Sequence, residues 1–312
     1  MPTALEVVDG VDLNVKTCVI TGASSGLGRV SARALASAGA HVVLAARNPD
    51  ALAESQSWVR AEVPDAATTT VHLDLTSLAS IRAAAAAIQE IAPTIHVLMN
   101  NAGVMFTPFG RTTDGFETQF GTNHLGHFEL TRLLVPELLA AGGARVVILS
   151  SDGHLISDVD YDDPNWKRRD YDRFLAYGAS KTANILHMVE LDRRLRDGAV
   201  RAYSVHPGIV ATALARYMTR DDFARLNNFG STSESENPVD IRRDFLTPDQ
   251  RDFLTPDQGA ATQVWAAVSP ELAGLGALYL ADCRVRENVA PYAIDEQRAA
   301  RLWALSESLC GN

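Results

Sequence analysis

The stretch TCVITGASSGLG, residues 17–28, is where the reading of this chain begins. Residues 17–21 form an apolar, β-prone run. Gly22, Gly26 and Gly28 then allow a tight turn whose backbone can approach a ligand closely. A helix is predicted over about 26–38, directly behind the turn. A strand, a glycine turn and a helix N-terminus in that order offer free N–H groups and the positive end of a helix dipole to an anion. With Ser24, Ser25 and Leu27, these glycines make a candidate phosphate cradle. The G-x-G-x-x-G spacing is absent, because Ser31 stands at its last position, so the placement of the glycines carries the reading.

Working outward, further β-rich runs fall at 41–46, 69–73, 95–100, 145–150, 201–206 and 277–281. Most are continuously apolar, as strands buried on both faces are. Helical segments are predicted between them at about 50–62, 77–91, 114–141, 177–197 and 259–268, with Pro136 kinking the fourth of the sequence's longer helices. This alternation predicts an α/β fold: a single-domain, doubly wound (Rossmann) seven-stranded parallel sheet with helices on both faces. Two stretches interrupt it, 152–176 and 209–258, and both are expected as insertions on the substrate side of one domain spanning 1–312. Within the second, RDFLTPDQ occurs twice in tandem, at 243–250 and 251–258, and reads as a local duplication in a surface loop. A loop this long is also a candidate lid.

The bulk numbers narrow the classes. In 312 residues, 46% are hydrophobic and 21% charged, an ordinary globular composition. A formal net charge of -10 and a pI near 5.3 argue against general nucleic-acid binding and against docking on anionic lipid. Cys18, Cys283 and Cys310 have no metal or disulfide spacing, which fits a reducing cytoplasm. No apolar run is long enough to span a membrane and no secretory leader is read, so no membrane partner is expected.

The second strand runs into Ala46 and Arg47. An acid near this point would bind a ribose 2′-hydroxyl, whereas an arginine suits a 2′-phosphate. The cofactor expected is therefore NADP(H), with NAD(H) the weaker alternative. In YGASK, residues 177–181, Tyr177 and Lys181 share a helix face with only small residues between them. A lysine beside a phenol favours the phenolate. Bringing a free tyrosine from about 10 to about 7 takes roughly 4 kcal/mol. His124 and His127 are three apart on a helix, a spacing open to a metal face or to packing. With no third ligand apparent, packing is expected and no metal. The run WKRRDY (166–171) is flanked by acids and reads as a solvated face or pocket rim.

Taken in order, TGASSGLG, NNAG (100–103), SS (150–151) and YGASK resemble the short-chain dehydrogenase/reductase family. DGFETQFGTNHLGHFELT (114–131), SDGH, YGASKTANIL and YSVHPGIVAT (203–212) are similar to its branch of retinol dehydrogenases and the WW-domain oxidoreductase. The resemblance implies a catalytic set of Asn123, Ser151, Tyr177 and Lys181, with Asn123 holding a relay water. It implies Asp74 and Leu75 at the adenine; Asn101, Ala102 and Gly103 at its ribose; and Pro207, Gly208, Val210 and Thr212 at the nicotinamide. Tyr177 and Lys181 would also touch the cofactor. The expected activity is NAD(P)-dependent interconversion of an alcohol and a ketone or aldehyde, Tyr177 being the general acid/base. The expected partners are a small-molecule alcohol or carbonyl substrate and further copies in a homodimer or homotetramer. Tyr161, Trp166, Tyr171, Phe174, Tyr217, Phe223 and Phe229 in the irregular stretches suggest an apolar or aromatic substrate. The alternatives are an idle NADP-binding scaffold and a sugar-nucleotide epimerase, whose larger C-terminal domain is not seen.

Overall fold

A computed structural model describes residues 1–210, 213–219, 222 and 253–311. Its centre is one sheet in the order β3-β2-β1-β4-β5-β6-β7-β8. The strands are β1 Thr17–Thr21, β2 His41–Ala46, β3 Thr68–His72, β4 Val97–Asn100, β5 Arg145–Leu149, β6 Arg201–Val205, β7 Leu278–Ala281 and β8 Arg284–Val285. The first seven pair in parallel, so the doubly wound expectation stands. The eighth is the correction to the count: two exposed residues pair antiparallel to β7. Asp282 and Cys283 both sit at φ 53 between them, the left-handed pair that a two-residue hairpin requires. The order reverses between β1 and β4, and in such sheets the ligand crevice opens outside the strand ends at that point.

Alternate strand residues feed two cores. Cys18, Ile20, Val42, Leu44 and Met99 face α1 Ala4–Val7, α2 Gly26–Ser37, α3 Pro49–Glu62 and a later helix, Pro256–Val268. Val19, Val43, Leu98, Val146 and Ile148 face α4 Leu78–Ile91, α5 Thr118–Phe120, α6 Gly126–Leu133, α7 Val135–Ala140 and α8 Arg173–Leu195. The helix expected over 114–141 is thus three helices. A π turn, Gly121–Leu125, joins α5 to α6, and Pro136, in the first turn of α7, breaks the helix rather than kinking it.

Helix Pro256–Val268, here α9, starts three residues before its expected position. Thr255 and Gln258 form a reciprocal capping box there. The sequence reading missed α10, Glu296–Cys310, although its pattern is plain: Ala299, Leu302, Trp303, Ser306 and Cys310 are buried along one stripe. Trp303 lies edge-on to Phe128, centroids 4.9 Å apart, and Ser306 bonds His124 at 2.8 Å. α10 therefore covers the outer faces of α6 and α8. No helix among the described residues is long and apolar enough to cross a membrane. The first RDFLTPDQ copy, Phe223 and Phe229 lie outside the described residues, as does most of 209–258.

Candidate active site

A cavity of about 870 Å³ opens at the carboxyl ends of the strands around the β1/β4 reversal. Of the residues expected at a dinucleotide, Gly22, Ser24, Ser25, Gly26, Leu27, Arg47, Asp74, Leu75, Asn101, Ala102, Gly103, Pro207, Gly208 and Val210 all line it. So do Ser151, Tyr177 and Lys181. Gly28 and Asn123 lie behind the lining, and Thr212 lies outside the described residues.

The glycine turn is tight for a stated reason. A Cβ on Gly28 would sit 2.5 Å from the Gly22 carbonyl oxygen, and one on Gly22, at φ +66, would sit 2.9 Å from Ala102 Cα. Ser25 caps α2 by position but makes no side-chain capping bond. The first N–H groups of this 12-residue helix therefore face the cavity side without that partner. The opposing loop is tied to β1: the backbone N–H groups of Asn101 and Ala102 donate to Thr21 Oγ1 at 2.9 and 3.0 Å. Asn101 Nδ2 donates to the Thr21 carbonyl at 2.8 Å. Arg47 is exposed at the edge of the cavity and has no hydrogen-bond or ion-pair partner among the described residues. Asp74 accepts from Thr76 N and Oγ1 through one oxygen, Oδ1. A dinucleotide phosphate fits this cradle, with uncommitted N–H donors on one side and an unpaired guanidinium at the end of β2.

At the other end, α8 presents Tyr177 and Lys181 to the cavity from its second and third turns. Both are almost wholly buried. Burial pushes the Tyr177 phenol up to about 12, a hydrogen bond with Ser151 pulling the other way. Burial pulls the Lys181 ammonium down to about 8. Its Nζ donates to the Leu149 carbonyl at 3.1 Å and lies 5.6 Å from the centre of the Tyr177 ring. In the free protein burial is the dominant influence on the phenol and favours its neutral form. Gly153 completes the arrangement: a Cβ there would be 2.8 Å from the Tyr177 ring, and its N–H donates to Ser151 Oγ at 3.0 Å.

Asn123 sits in the π turn, fully buried. Its Nδ2 donates to the Val104 carbonyl and Ser180 Oγ, and its Oδ1 accepts from Val104 N. In this structure the side chain braces loop 101–104 against α8 and is already engaged at both ends. His127 bonds within the protein and His124 packs beside Phe120, Phe128 and His187. No metal-ligating cluster exists among the described residues. Arg169 pairs with Asp160 and Asp163 and the Arg168 guanidinium donates to the Asp162 main-chain carbonyl, both outside the cavity lining.

The substrate wall differs from expectation. Of the seven aromatics singled out, Tyr217 alone lines the cavity among those described. Phe174 packs behind it against Phe106, and Tyr171 bonds Glu117. Tyr161 lies by Arg301 and Trp166 by Arg169. The wall is instead built by Val104–Pro108 with Leu214, Met218 and Phe253. Phe106 holds φ +50 there, an uncommon conformation for an aromatic. That run follows NNAG directly, and its apolar VMF was the available signal. Asp152 and His206 were missed too. Asp152, beside Ser151, pairs with Arg286 at 2.9 Å and accepts from Tyr279 at 3.0 Å, while its N–H donates to His206 Nδ1 at 3.3 Å.

Residues 16–162 match the family model of the short chain dehydrogenases. Human retinol dehydrogenase 13 is 39% identical over 297 residues, covering 95% of this chain and 85% of that protein. The human WW domain-containing oxidoreductase is 37% identical over 314 residues, covering 98% and 71%. A solved structure of an uncharacterized protein from Mycobacterium paratuberculosis superposes with a TM-score of 0.72 at 34% identity, covering 97% of this chain and 96% of that one.

Proposed function

The chain belongs to the short-chain dehydrogenase family, in the branch of the retinol dehydrogenases, and we propose that it is an NADP-preferring reductase or dehydrogenase of an apolar carbonyl or alcohol. As a member it is an oxidoreductase acting on CH–OH donors with NAD(P) as acceptor. The observation that carries the finer reading is that Ser151, Tyr177 and Lys181 line one cavity with the phosphate cradle and an unpaired Arg47. We take residues 1–312 as one nucleotide-binding domain.

When bound, the nicotinamide cofactor supplies or takes the hydride. This chain's residues would do the rest. Tyr177, held neutral by burial, donates its proton to the carbonyl oxygen in reduction and receives it back in oxidation. Ser151 donates a hydrogen bond to the same oxygen where charge develops. Lys181, anchored on the Leu149 carbonyl, brings a positive charge that favours the phenolate left after proton donation. Asn123 holds Ser180 and the 101–104 loop in register with them. Arg47 meets the 2′-phosphate. Met105, Phe106, Pro108 and Met218 give the substrate an apolar surface.

An idle scaffold is not favoured, because the four catalytic residue types are present together. A homodimer or homotetramer would need a surface other than the α6 and α8 face that α10 covers. The acidic charge and three free cysteines suit a cytoplasmic location. The test is Tyr177→Phe: turnover with NADPH is expected to fall at least a thousandfold while NADPH still raises the melting temperature. Turnover near the wild-type rate would refute the mechanism.

A further inference from the structure

His127 does not line the cavity, yet it bonds to both halves of the site. Its Nδ1 is 2.9 Å from the main-chain oxygen of Asn123 and its Nε2 is 2.8 Å from Thr21 Oγ1. The partners fix its tautomer. A carbonyl only accepts, so Nδ1 carries the proton. The Thr21 hydroxyl already accepts from Asn101 N and Ala102 N, so its own proton is given to Nε2. Its other acceptor, the Met99 carbonyl, is farther away at 3.5 Å. One neutral imidazole thus satisfies every group around it. Burial, with the nearby Lys181 charge, holds its pKa near 4, so that tautomer persists at neutral pH.

We propose that His127 is a positioning residue: its Nε2 sets, through Thr21, the 101–102 loop that receives the dinucleotide, and its Nδ1 sets the backbone of Asn123. The chain of contact is continuous. Thr21 ends β1 at the glycine turn, Asn101 and Ala102 line the cavity, and Asn123 braces Val104 and Ser180 beside Lys181. The two arms are separable by side-chain length. Glutamine places an amide oxygen near Nε2 and keeps the Thr21 arm. Asparagine places an amide near Nδ1 and keeps only the Asn123 arm.

The inference rests on the dinucleotide-binding reading above, and the experiment separates the two. NADPH and NADH dissociation constants are measured by fluorescence titration, with melting temperatures, for the wild type, His127→Asn, His127→Gln, Thr21→Val and His127→Asn/Thr21→Val. His127→Asn and Thr21→Val are each expected to weaken binding of the preferred dinucleotide about fivefold to a hundredfold, the range for losing one buried hydrogen bond and leaving a partner unmet. The double variant is expected to be no weaker than the worse single, because both act on one link. His127→Gln is expected within about twofold of the wild type. Equal loss in His127→Gln and His127→Asn, or melting temperatures that fall while dissociation constants stay within twofold, overturns the proposal. A wild type that binds neither dinucleotide overturns the functional reading and this inference with it.

Discussion

Lys181 is expected to lower the stability of the free protein, and Lys181→Met to raise it. The ammonium is almost wholly buried, its pKa pulled from 10.5 to about 8 by burial. A shift of about 2.5 units corresponds to about 3 kcal/mol at roughly 1.4 kcal/mol per unit. The sign follows from proton counts. Between about pH 8 and 10.5 the unfolded chain keeps the proton and the folded chain has lost it, so wild-type stability rises with pH across that window. Below pH 8 the whole penalty is present. Methionine fills similar volume without the charge but gives up the bond to the Leu149 carbonyl, worth about 1 kcal/mol. The net gain at pH 7 is about 2 kcal/mol. At about 2.1 cal/mol/K of unfolding entropy per residue, a chain this long should melt roughly 3 °C higher. Urea unfolding of both proteins from pH 6.5 to 10.5 isolates the term, since all other groups are shared. The difference should be constant below pH 8 and shrink towards pH 10.5, reversing sign by about the lost hydrogen bond. A variant less stable than wild type at pH 7, or a difference that does not change with pH, would falsify the argument that the buried charge is the cost.

Other consequences are open to measurement. Arg47→Asp is expected to weaken NADPH binding by the order of tenfold or more and leave NADH binding unchanged or better, since it removes a 2′-phosphate partner and adds repulsion. The effect should shrink in high salt because the site is exposed; an unchanged NADPH-to-NADH ratio would leave Arg47 a mere surface charge. His187 is buried with both ring nitrogens unpartnered, and burial pulls its pKa down to about 3. Below pH 6.5 the unfolded ring takes a proton the folded ring refuses, so stability falls as pH drops towards 3. His187→Phe should flatten that limb of the acid-denaturation curve, and an unaltered curve would contradict it. Trp303→Ala removes the side chain that seats α10 on Phe128 and His187, and should cost about 3 to 5 kcal/mol in denaturant unfolding. A loss below 1 kcal/mol would mean α10 is loosely held.

Legibility from the sequence followed the range of the interactions. Most of strands β1 to β7 announced themselves because burial on both faces forces apolar runs, with β3 at the sheet edge betrayed by β-branched threonines instead, and the glycine turn because a Cβ on Gly22 or Gly28 would meet backbone within 3 Å. The phosphate end of the cavity lining was legible because those residues sit at strand ends and turns, where local geometry dictates the residue type, whereas the wall at 105–108, Leu214, Met218 and Phe253 was not. β8 was not, since two exposed residues bury nothing that leaves a pattern. α10 was legible and overlooked: its buried stripe and the left-handed Gly311 after it are ordinary helix signals.

What no local pattern could show is the set of contacts that decide charge and orientation. YGASK suggests a phenolate made by its lysine; the fold instead buries both groups, so each is driven towards its neutral form. That burial comes from β5, whose Leu149 carbonyl holds Lys181, and from the Phe106 ring beside Tyr177, both remote in sequence, with Phe174 one turn away on α8 itself. Asn123 and His127 are hydrogen-bonded within the protein through both polar side-chain atoms, and Asp152 is held by Arg286 and Tyr279. In a buried site a loose polar group is costly, so these side chains are committed within the protein, whereas exposed Arg47 and the first N–H groups of α2 are not.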